Sequence, residues 1–281
     1  MESIIKNIGN TPVALIDGIT VKLEYNNPSG SIKDRFVFNY LEELRAGGRA
    51  QPGTRIAEAT TGNTGISAAM WTALRGCSFT AFVPQNASSE RLAIMRGFGA
   101  QVVLAPTVSD AVRMKNEYLA ENPGAIALDQ FANPKNPLFM QKLGEELLEH
   151  KPDAFVAGVG TGGTLIGAAR VLSKELGTRI VAVEPSESPL LAQGKHGQHL
   201  IEGIGEDFVP EIIARELHMI NEVAHVSEQE ALAEMKLLWK RGIFVGTSSA
   251  ANLIAAKKLA KGGMRVATVF PDNGYRHCMS R

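Results

Sequence analysis

The stretch AFVAGVGTGGTLIGAARV, residues 154–171, runs from an apolar segment through a glycine-rich turn into an apolar pattern of helical spacing. Gly158, Gly160 and Gly163 satisfy G-x-G-x-x-G, and Glu184 follows about 20 residues later, at the end of the next apolar segment. Taken alone, this pattern predicts a nicotinamide dehydrogenase in which Glu184 binds a ribose. Because any anion bound at a strand–loop–helix turn favours glycines at such positions, the stretch indicates a β–α unit and an anion site without identifying the ligand.

Short apolar segments alternate with helical patterns along nearly the whole chain. The predicted strands are TVKLEY (20–25), RIAEA (55–59), SFTAFVP (78–84), QVVLAP (101–106), AIALDQ (125–130), AFVAGV (154–159), RIVAVE (179–184) and RVATVF (265–270). Such alternation predicts an α/β fold with largely parallel sheets between layers of helices. With 281 residues the chain is long enough for two such units, and NPKNPL (133–138) is the candidate boundary. Residues 185–210 contain no clear element, so we expect this long loop to border a functional site.

A second glycine-bearing turn, EATTGNTGIS (58–67), also lies between a predicted strand and a predicted helix. It presents the hydroxyls of Thr60, Thr61 and Thr64 and the amide of Asn63 beside the backbone N–H groups of a helix start. Neither turn contains G-x-x-x-x-G-K-[ST], which argues against a nucleoside triphosphate site. Two separate anion sites suit ligands that carry one phosphate and one carboxylate.

The stretch NPSGSIKDR (27–35) places Lys33 in the opening turn of a predicted helix. Ser31 and Asp34 have the spacing of a helix cap and its reciprocal partner. A helix N-terminus carries partial positive charge and therefore disfavours an ammonium. Lys33 is accordingly either an ordinary solvated side chain or an amine whose charged form is destabilised, able to form a Schiff base or to act as a base.

Composition excludes several classes of protein. Lysine plus arginine and aspartate plus glutamate are equal at 29 each, which argues against nucleic acid or an anionic membrane surface as a partner. Cys77 and Cys278 are too few for a disulfide framework and indicate a reducing compartment. The first residues, MESIIKNIGNTP, lack the basic and apolar segments of a signal peptide, and no apolar run approaches the ~20 residues of a membrane span. We expect a cytoplasmic protein.

Several motifs together resemble those of cysteine synthases and the related cystathionine β-synthases. They are KLEYNNPSGSIKDR, EATTGNTGIS, LDQF, GVGTGGTLIG, EGIGEDFVP, GTSSAAN and FPDNGYR, and the resemblance extends from IGNTP (8–12) to the end of the chain. Enzymes of this family use pyridoxal 5'-phosphate and have the tryptophan synthase β-like fold, fold type II. The resemblance implies two three-layer α/β subdomains with largely parallel twisted sheets. The larger one, residues 1–35 plus 141–281, would bind the cofactor phosphate, and the smaller, mobile one, residues 36–140, would bind the substrate carboxylate.

The resemblance also implies roles for individual residues. Lys33 matches the lysine that holds the cofactor as an internal aldimine and later acts as a base. Asn63 matches the residue that hydrogen-bonds the cofactor's phenolic oxygen, and Ser248 matches the hydroxyl that faces its pyridine nitrogen, with Ser249 as the adjacent alternative. The expected phosphate loop is Gly160, Thr161, Gly162, Gly163 and Thr164, and the expected ligands of the substrate carboxylate are Thr60, Thr61, Thr64 and Gln130. The chain departs from the family pattern at Ala250-Ala251, where a glycine usually follows the paired serines.

The implied activity is β-replacement on an activated L-serine, O-acetyl-L-serine above all, in which sulfide adds to an aminoacrylate intermediate and gives L-cysteine. An alternative is cystathionine or lanthionine synthesis, with an amino-acid thiol as acceptor and Glu202 as the partner of its ammonium. EGIGEDFVP and the ending RHCMSR (276–281) are as typical of that version. A third possibility is an inactive relative that binds a partner's C-terminal tail in the same cleft. The family further implies a homodimer and a serine acetyltransferase tail as a partner, and no metal is expected.

Overall fold

A computed structural model of the chain describes residues 2–276, so Cys278 and most of the RHCMSR ending lie outside the described residues. The larger of two sheets consists of β1 (Val13–Ile16), β2 (Ile19–Leu23), β7 (Ala154–Gly158), β8 (Arg179–Pro185), β9 (Glu222–Val226) and β10 (Val266–Phe270). Their order across the sheet is β1-β2-β10-β7-β8-β9. All neighbouring strands are parallel except β1 and β2, which form an antiparallel pair at one edge.

The smaller sheet is entirely parallel and has the order β5-β4-β3-β6. Its strands are β3 (Arg55–Ala59), β4 (Ser78–Pro84), β5 (Gln101–Ala105) and β6 (Ile126–Ala127). The inner strands of both sheets are buried along almost their whole length, because helices cover them, and their sequences are consequently mostly apolar. The predicted α/β fold with largely parallel sheets is confirmed.

Helices connect the strands and pack against both sheets. They are α1 (Glu2–Ile5), α2 (Asp34–Ala46), α3 (Asn63–Arg75), α4 (Ser89–Gly97), α5 (Val108–Glu121), α6 (Lys135–Leu147), α7 (Gly163–Leu176), α8 (Leu190–Gln193), α9 (Glu211–Glu216), α10 (Glu228–Lys240) and α11 (Thr247–Ala260). In the part of the chain that the structure describes, none of these helices has the length and apolarity needed to cross a membrane.

One continuous apolar core joins the two sheets through α2, α3, α6 and α7. It includes Ile56 of the smaller sheet and Phe155 of the larger one, both fully buried. Strands β3 to β6 lie within residues 36–140 and the strands of the larger sheet lie outside that range. The division into subdomains at residues 35/36 and 140/141 remains a prediction, and both proposed borders fall inside helices, α2 and α6.

A buried ion cluster fixes the start of α2. The guanidinium of Arg35 binds Glu24 (Nε to Oε2, 2.6 Å) and Glu146 of α6 (Nη2 to Oε2, 2.7 Å), and Lys22 of β2 also binds Glu146 (2.8 Å). The two basic groups and Glu24 are almost completely buried. The Arg35 guanidinium helps to hold the pKa of Glu146 at about 2, against the opposing effect of burial. Because Arg35 is two residues from Lys33, this cluster positions the opening turn of α2.

Candidate active site

A cavity lies at the carboxyl ends of the parallel strands, where loops of both sheets meet. This is the edge at which open α/β sheets usually bind ligands. Eleven of the residues expected to bind the cofactor or the substrate line it: Lys33, Thr60, Thr61, Asn63, Thr64, Gln130, Gly160, Thr161, Gly162, Thr164 and Ser248. Gly163 and Glu202 do not line this cavity, which is called the inner cavity below.

Lys33 occupies the N-cap position of α2, and its side chain faces the inner cavity. Among residues 2–276 its amine has no hydrogen-bond or ion-pair partner. Burial lowers the pKa of Lys33, while the carboxylates of Glu206 and Asp272 oppose that shift. Of the two alternatives that the local sequence leaves open for Lys33, burial favours the amine whose charged form is destabilised.

The predicted capping pair of Ser31 and Asp34 is wrong. Ser31 Oγ accepts a hydrogen bond from the Lys33 backbone N–H (3.4 Å), and α2 has no side-chain cap. The buried carboxylate of Asp34 instead accepts bonds from the Ser29 backbone N–H (2.7 Å), the Ser29 hydroxyl and the Ser67 hydroxyl of α3 (2.6 Å). Asp34 thus ties the loop before Lys33 to α3. The capping box does not form because these three donors, which lie outside α2, occupy the carboxylate oxygens that it would use.

Hydrogen bonds hold three of the expected carboxylate ligands in defined positions: Thr60 and Thr64, which follow β3, and Gln130, which follows β6. Thr60 Oγ1 accepts bonds from the backbone N–H groups of Gly62 (3.0 Å) and Gly65 (3.1 Å), which shapes the turn. The Thr64 hydroxyl donates to Gln130 Oε1 (2.6 Å), and Gln130 Nε2 donates to the Ala59 carbonyl (2.7 Å). These side chains are nearly buried, so water does not compete for their hydrogen bonds.

Asn63, at the start of α3, is clamped by two side chains from the end of the described chain. Its Nδ2 donates to Asp272 Oδ2 (2.8 Å), and its Oδ1 accepts a bond from Arg276 Nη1. Arg276 also donates to the Ser29 carbonyl. These contacts fix the orientation of the Asn63 amide and leave its second N–H available to a ligand.

The glycine turn after β7 leads directly into α7. Gly162 has φ +85°, a left-handed conformation that favours glycine, and a Cβ at Gly160 would overlap the Gly203 carbonyl oxygen. The first N–H groups of α7, including those of Thr164 and Leu165, have no partner within the helix and point out of its N-terminus. With the hydroxyls of Thr161 and Thr164 close by, this turn is suited to a phosphate dianion.

Glu184 does not serve a ribose. Its carboxylate, 2% exposed, accepts bonds from the backbone N–H groups of Leu191 (2.8 Å) and Ala192 (3.1 Å), and it contacts His225 Nε2 at 3.0 Å. Glu184 is thus engaged in holding α8. The dinucleotide interpretation of the G-x-G-x-x-G pattern is wrong for this chain.

The structure separates the two adjacent serines at the start of α11. Ser248 lines the inner cavity, and its hydroxyl has no hydrogen-bond partner among the residues that the structure describes. Ser249 is fully buried outside the cavity, and its Oγ is likewise unpaired. Ala250 and Ala251 lie in the core and do not narrow the cavity.

Glu202 lies at the mouth of the site. It lines a second, outer cavity formed between residues 84–91 and 106–108 of one side and residues 196–207 of the other. Its Oε2 forms an ion pair with Arg91 Nη2 at 2.5 Å, and Arg91 Nη1 contacts the Thr61 carbonyl at 3.4 Å. As expected, the long 185–210 loop borders the site, contributing Gly203, Ile204 and Glu206 to the inner cavity.

Four residues of the site were missed by sequence reasoning. Arg91, on α4, and Glu206 line both cavities, and Asp272 and Arg276 hold Asn63. Asp272 and Arg276 belong to FPDNGYR, and Glu206 belongs to EGIGEDFVP. Both motifs contribute to the family resemblance, but the sequence alone assigns no function to these three residues. No sequence motif marks Arg91, because it lies within α4, whose sequence is typical of an ordinary surface helix.

Comparisons with known proteins agree with this geometry. A family model described as pyridoxal-phosphate dependent enzyme matches residues 4–272. Cysteine synthase B of Campylobacter jejuni is 40% identical over 290 residues, covering 98% of this chain and 96% of the relative. A cysteine synthase structure from Entamoeba histolytica has a TM-score of 0.91 and 35% identity, covering 98% of this chain and 88% of that one. The O-acetylserine-dependent cystathionine β-synthase of Helicobacter pylori has a TM-score of 0.92 and 35% identity, covering 98% and 96%.

The chain belongs to the family of pyridoxal-phosphate-dependent enzymes. Within that family it groups with the cysteine synthases, and its cofactor is pyridoxal phosphate. The groups that line the inner cavity fit this cofactor. They include an anion site at the N-terminus of α7, an unpaired lysine amine of lowered pKa, an oriented amide with a free N–H, and an unpaired buried hydroxyl at Ser248.

Proposed function

We propose that the protein catalyses β-replacement on O-acetyl-L-serine with sulfide, giving L-cysteine and acetate. The observation that carries this proposal is the convergence, in one cavity, of the unpaired Lys33 amine with two anion-binding helix starts, those of α3 and α7. One site suits the cofactor phosphate and the other the carboxylate of an amino acid. The family and its cysteine synthase members support the same activity.

The residues that would hold the cofactor come from both sheets. The turn from Gly160 to Thr164, with Gly162 and Gly163 at the start of α7, would bind its phosphate, Asn63 its phenolic oxygen, and the Lys33 amine its aldehyde carbon. When bound, pyridoxal phosphate withdraws electrons from the substrate's α-carbon, which acidifies the α-proton and promotes loss of the β-substituent.

Lys33 would carry the α-proton. A half-buried lysine with a lowered pKa is available as a neutral amine, so it can remove the α-proton and later return it to the same carbon. The substrate carboxylate would lie against the threonine turn. The Thr61 hydroxyl, the N–H groups at the start of α3 and the remaining N–H of Gln130 are available there, held by the contacts of Thr60 and Thr64.

Ser248 would face the pyridine nitrogen. A neutral hydroxyl does not enforce protonation of that nitrogen, whereas an aspartate would. The weaker electron withdrawal that results favours elimination and replacement at the β-carbon over prolonged carbanion chemistry such as transamination.

A second candidate is the synthesis of cystathionine or lanthionine, in which the acceptor is an amino-acid thiol. The outer cavity favours it, because it adjoins the inner cavity and offers carboxylates to an ammonium group. In this version Glu202 would exchange its partner Arg91 for the ammonium of the acceptor. Glu202→Gln should then lower efficiency with homocysteine or cysteine roughly ten- to hundredfold and leave sulfide nearly unaffected. Equal small effects on all acceptors would remove Glu202 from this role.

Product analysis in competition tests the function. The holoenzyme is given O-acetyl-L-serine with sulfide, cysteine and homocysteine present together, and the products are quantified by mass spectrometry. The proposal predicts L-cysteine from sulfide as the main product. A dominant thioether product would favour the second candidate, and the absence of any replacement product would reject both.

The finer assignments are also proposals. We expect a cytoplasmic homodimer in which residues 36–140 move relative to residues 1–35 plus 141–281 when the substrate carboxylate binds. The C-terminal tail of a serine acetyltransferase is the protein ligand that would fit the same carboxylate site.

A further inference from the structure

Among the described residues that line the inner cavity, Glu206 is the only carboxylic acid. Among the described residues that line it, the ionisable ones are Lys33, Arg91 and Glu206. The side chain of Glu206 is half-buried, and in residues 2–276 it has no hydrogen-bond or ion-pair partner. Because Glu206 also lines the outer cavity, its carboxylate stands where an acceptor would pass from the mouth to the reacting carbon.

Charged groups from several elements surround Glu206. On the cationic side are Lys33, at the start of α2, and Arg91, on α4, which is already paired with Glu202. His196 and His199, of the same long loop, line the outer cavity. On the anionic side are Asp207, Glu202, Glu228 at the start of α10, and Glu184 behind the loop. The mouth therefore has more carboxylates than fixed cations.

Burial raises the pKa of Glu206 to about 7, with the Lys33 ammonium opposing that shift and Asp207 adding to it. A carboxyl group with this pKa changes protonation state near neutral pH, where general acid–base catalysts are most effective. Both the position and the pKa of Glu206 therefore suit a general base.

The replacement reaction needs a second proton acceptor. Lys33 has taken the α-proton and must return it to the α-carbon, so it cannot also take the proton of an incoming thiol. An arginine cannot act as a base, which excludes Arg91. Resting on the proposed function, we infer that Glu206 is the base that deprotonates the sulfur acceptor. The S–H bond breaks, its proton passes to Glu206, and the sulfur electron pair forms the C–S bond at the β-carbon that acetate has left. The electron pair of the α–β double bond moves to the α-carbon, which takes its proton back from Lys33, and the proton on Glu206 then leaves to water through the outer cavity.

This role sets the chemical class of the acceptor. A carboxylate base favours acceptors that arrive with a proton on sulfur, such as hydrogen sulfide or a thiol. The same charge, in an acidic mouth, repels acceptors that are already anionic. Thiosulfate, a dianion without a proton to give, is therefore a poor acceptor for this enzyme.

The test separates the two halves of the reaction by stopped-flow absorbance of the bound cofactor. Glu206→Gln should leave the absorbance change on adding O-acetyl-L-serine within about twofold of the parent, because Lys33 alone handles the α-proton. With homocysteine as acceptor near pH 7, the return of the spectrum should slow about 100-fold. Above pH ~9, where the thiol is already ionised, the difference should shrink to a few-fold. With thiosulfate the variant should be equal to or faster than the parent.

Asp207→Asn is the matched control, since Asp207 is the neighbouring carboxylate, lines only the outer cavity and accepts a bond from Ser109 Oγ (3.0 Å). It should change the acceptor step by less than about threefold. Slowing of both halves by Glu206→Gln, or an equal loss at all pH values, would overturn the role of Glu206. If the parent holoenzyme shows no absorbance change with O-acetyl-L-serine, the proposed function itself fails, which distinguishes that outcome from failure of this inference.

Discussion

Thr64 and Gln130 form the hydrogen bond on which the expected carboxylate site depends. Thr64→Val removes the hydroxyl and leaves the buried Gln130 Oε1 without its partner. An unsatisfied buried acceptor costs about 1–3 kcal/mol, so we expect the KM for O-acetyl-L-serine to rise roughly ten- to hundredfold. Cofactor affinity, measured by absorbance titration of the apoenzyme, should stay within about twofold.

Thr72 supplies the control for this change. It lies on the same helix, is also buried, and donates to the Ala69 carbonyl away from the cavity. Thr72→Val should leave KM unchanged. A matching rise in KM would mean that loosening α3, rather than losing the Gln130 contact, explains the effect of Thr64→Val.

Position 248 is where the charge of the side chain should affect the cofactor's pyridine nitrogen. Ser248→Ala removes one hydrogen bond, worth about 0.5–1.5 kcal/mol, and leaves a neutral environment for the pyridine nitrogen. Ser248→Asp should slow the absorbance change with O-acetyl-L-serine much more, because a carboxylate enforces protonation of the nitrogen. Ser249→Ala, at an unpaired hydroxyl outside the cavity, should match the parent. An aspartate variant as fast as the parent would place the nitrogen's partner elsewhere.

Sequence reasoning reached the residues whose side chains stand in recognisable turns, such as Lys33 and Asn63. It missed Glu206 and Arg276, which act through the place to which the fold brings them. Arg276 meets Asn63 across more than 200 residues of chain, and no local pattern encodes such a contact. The cap assigned to Asp34 failed for the same reason, since Ser67 of α3 competes for its carboxylate.

At the scale of elements, Glu58, the fully buried penultimate residue of β3, holds the loop that carries Gln130. Glu58 Oε2 accepts a bond from the Asp129 backbone N–H (2.6 Å), and Lys115 of α5 binds the Asp129 carboxylate (3.0 Å). Burial raises the pKa of Glu58 to about 7, with the Lys115 charge and the Asp129 N–H opposing that shift. We therefore expect the position of this loop to depend on pH.

Glu58→Gln should remove part of the pH dependence of stability. The folded-state pKa of Glu58 exceeds the ordinary glutamate value of 4.5, so the folded state binds the extra proton and this contribution to stability is fully present below pH ~4.5. It is lost as pH rises through about 7. The free energy of unfolding, measured by urea titration, should therefore fall between about pH 5 and 8 by up to roughly 3 kcal/mol more in the parent than in the variant. Parallel curves for the two proteins would show that Glu58 does not titrate there.

The elements themselves were largely predictable. Buried strands such as β4 and β8 are mostly apolar runs. Helical apolar spacing over residues 109–121, 164–177, 228–242 and 248–260 predicts α5, α7, α10 and α11 to within about two residues. The edge strands β1 and β9 were missed, because they are only partly buried and one of them, EVAHV, carries polar residues. The predicted strand 125–130 shrinks to two residues, since its second half turns into the site at Gln130.

At the scale of the whole molecule, alternation of strands and helices predicted parallel sheets but not how two sheets would share one core. That arrangement depends on α2, α3, α6 and α7 packing between them and on the buried cluster of Arg35, Glu24 and Glu146. The active site exists because this packing brings the carboxyl ends of both sheets to one cavity. We therefore propose that Lys33, where the two sheets meet, carries the cofactor.

Borohydride reduction followed by peptide mapping tests this claim most directly. Sodium borohydride makes the bond between the cofactor's aldehyde carbon and a lysine amine permanent, and mass spectrometry of the digest identifies that lysine. We predict the added mass at Lys33 and its absence in Lys33→Ala, which should also lack measurable turnover. Attachment to any other lysine of the native protein, or no attachment at all in a protein that retains replacement activity, would contradict the assignment of Lys33 as the cofactor lysine.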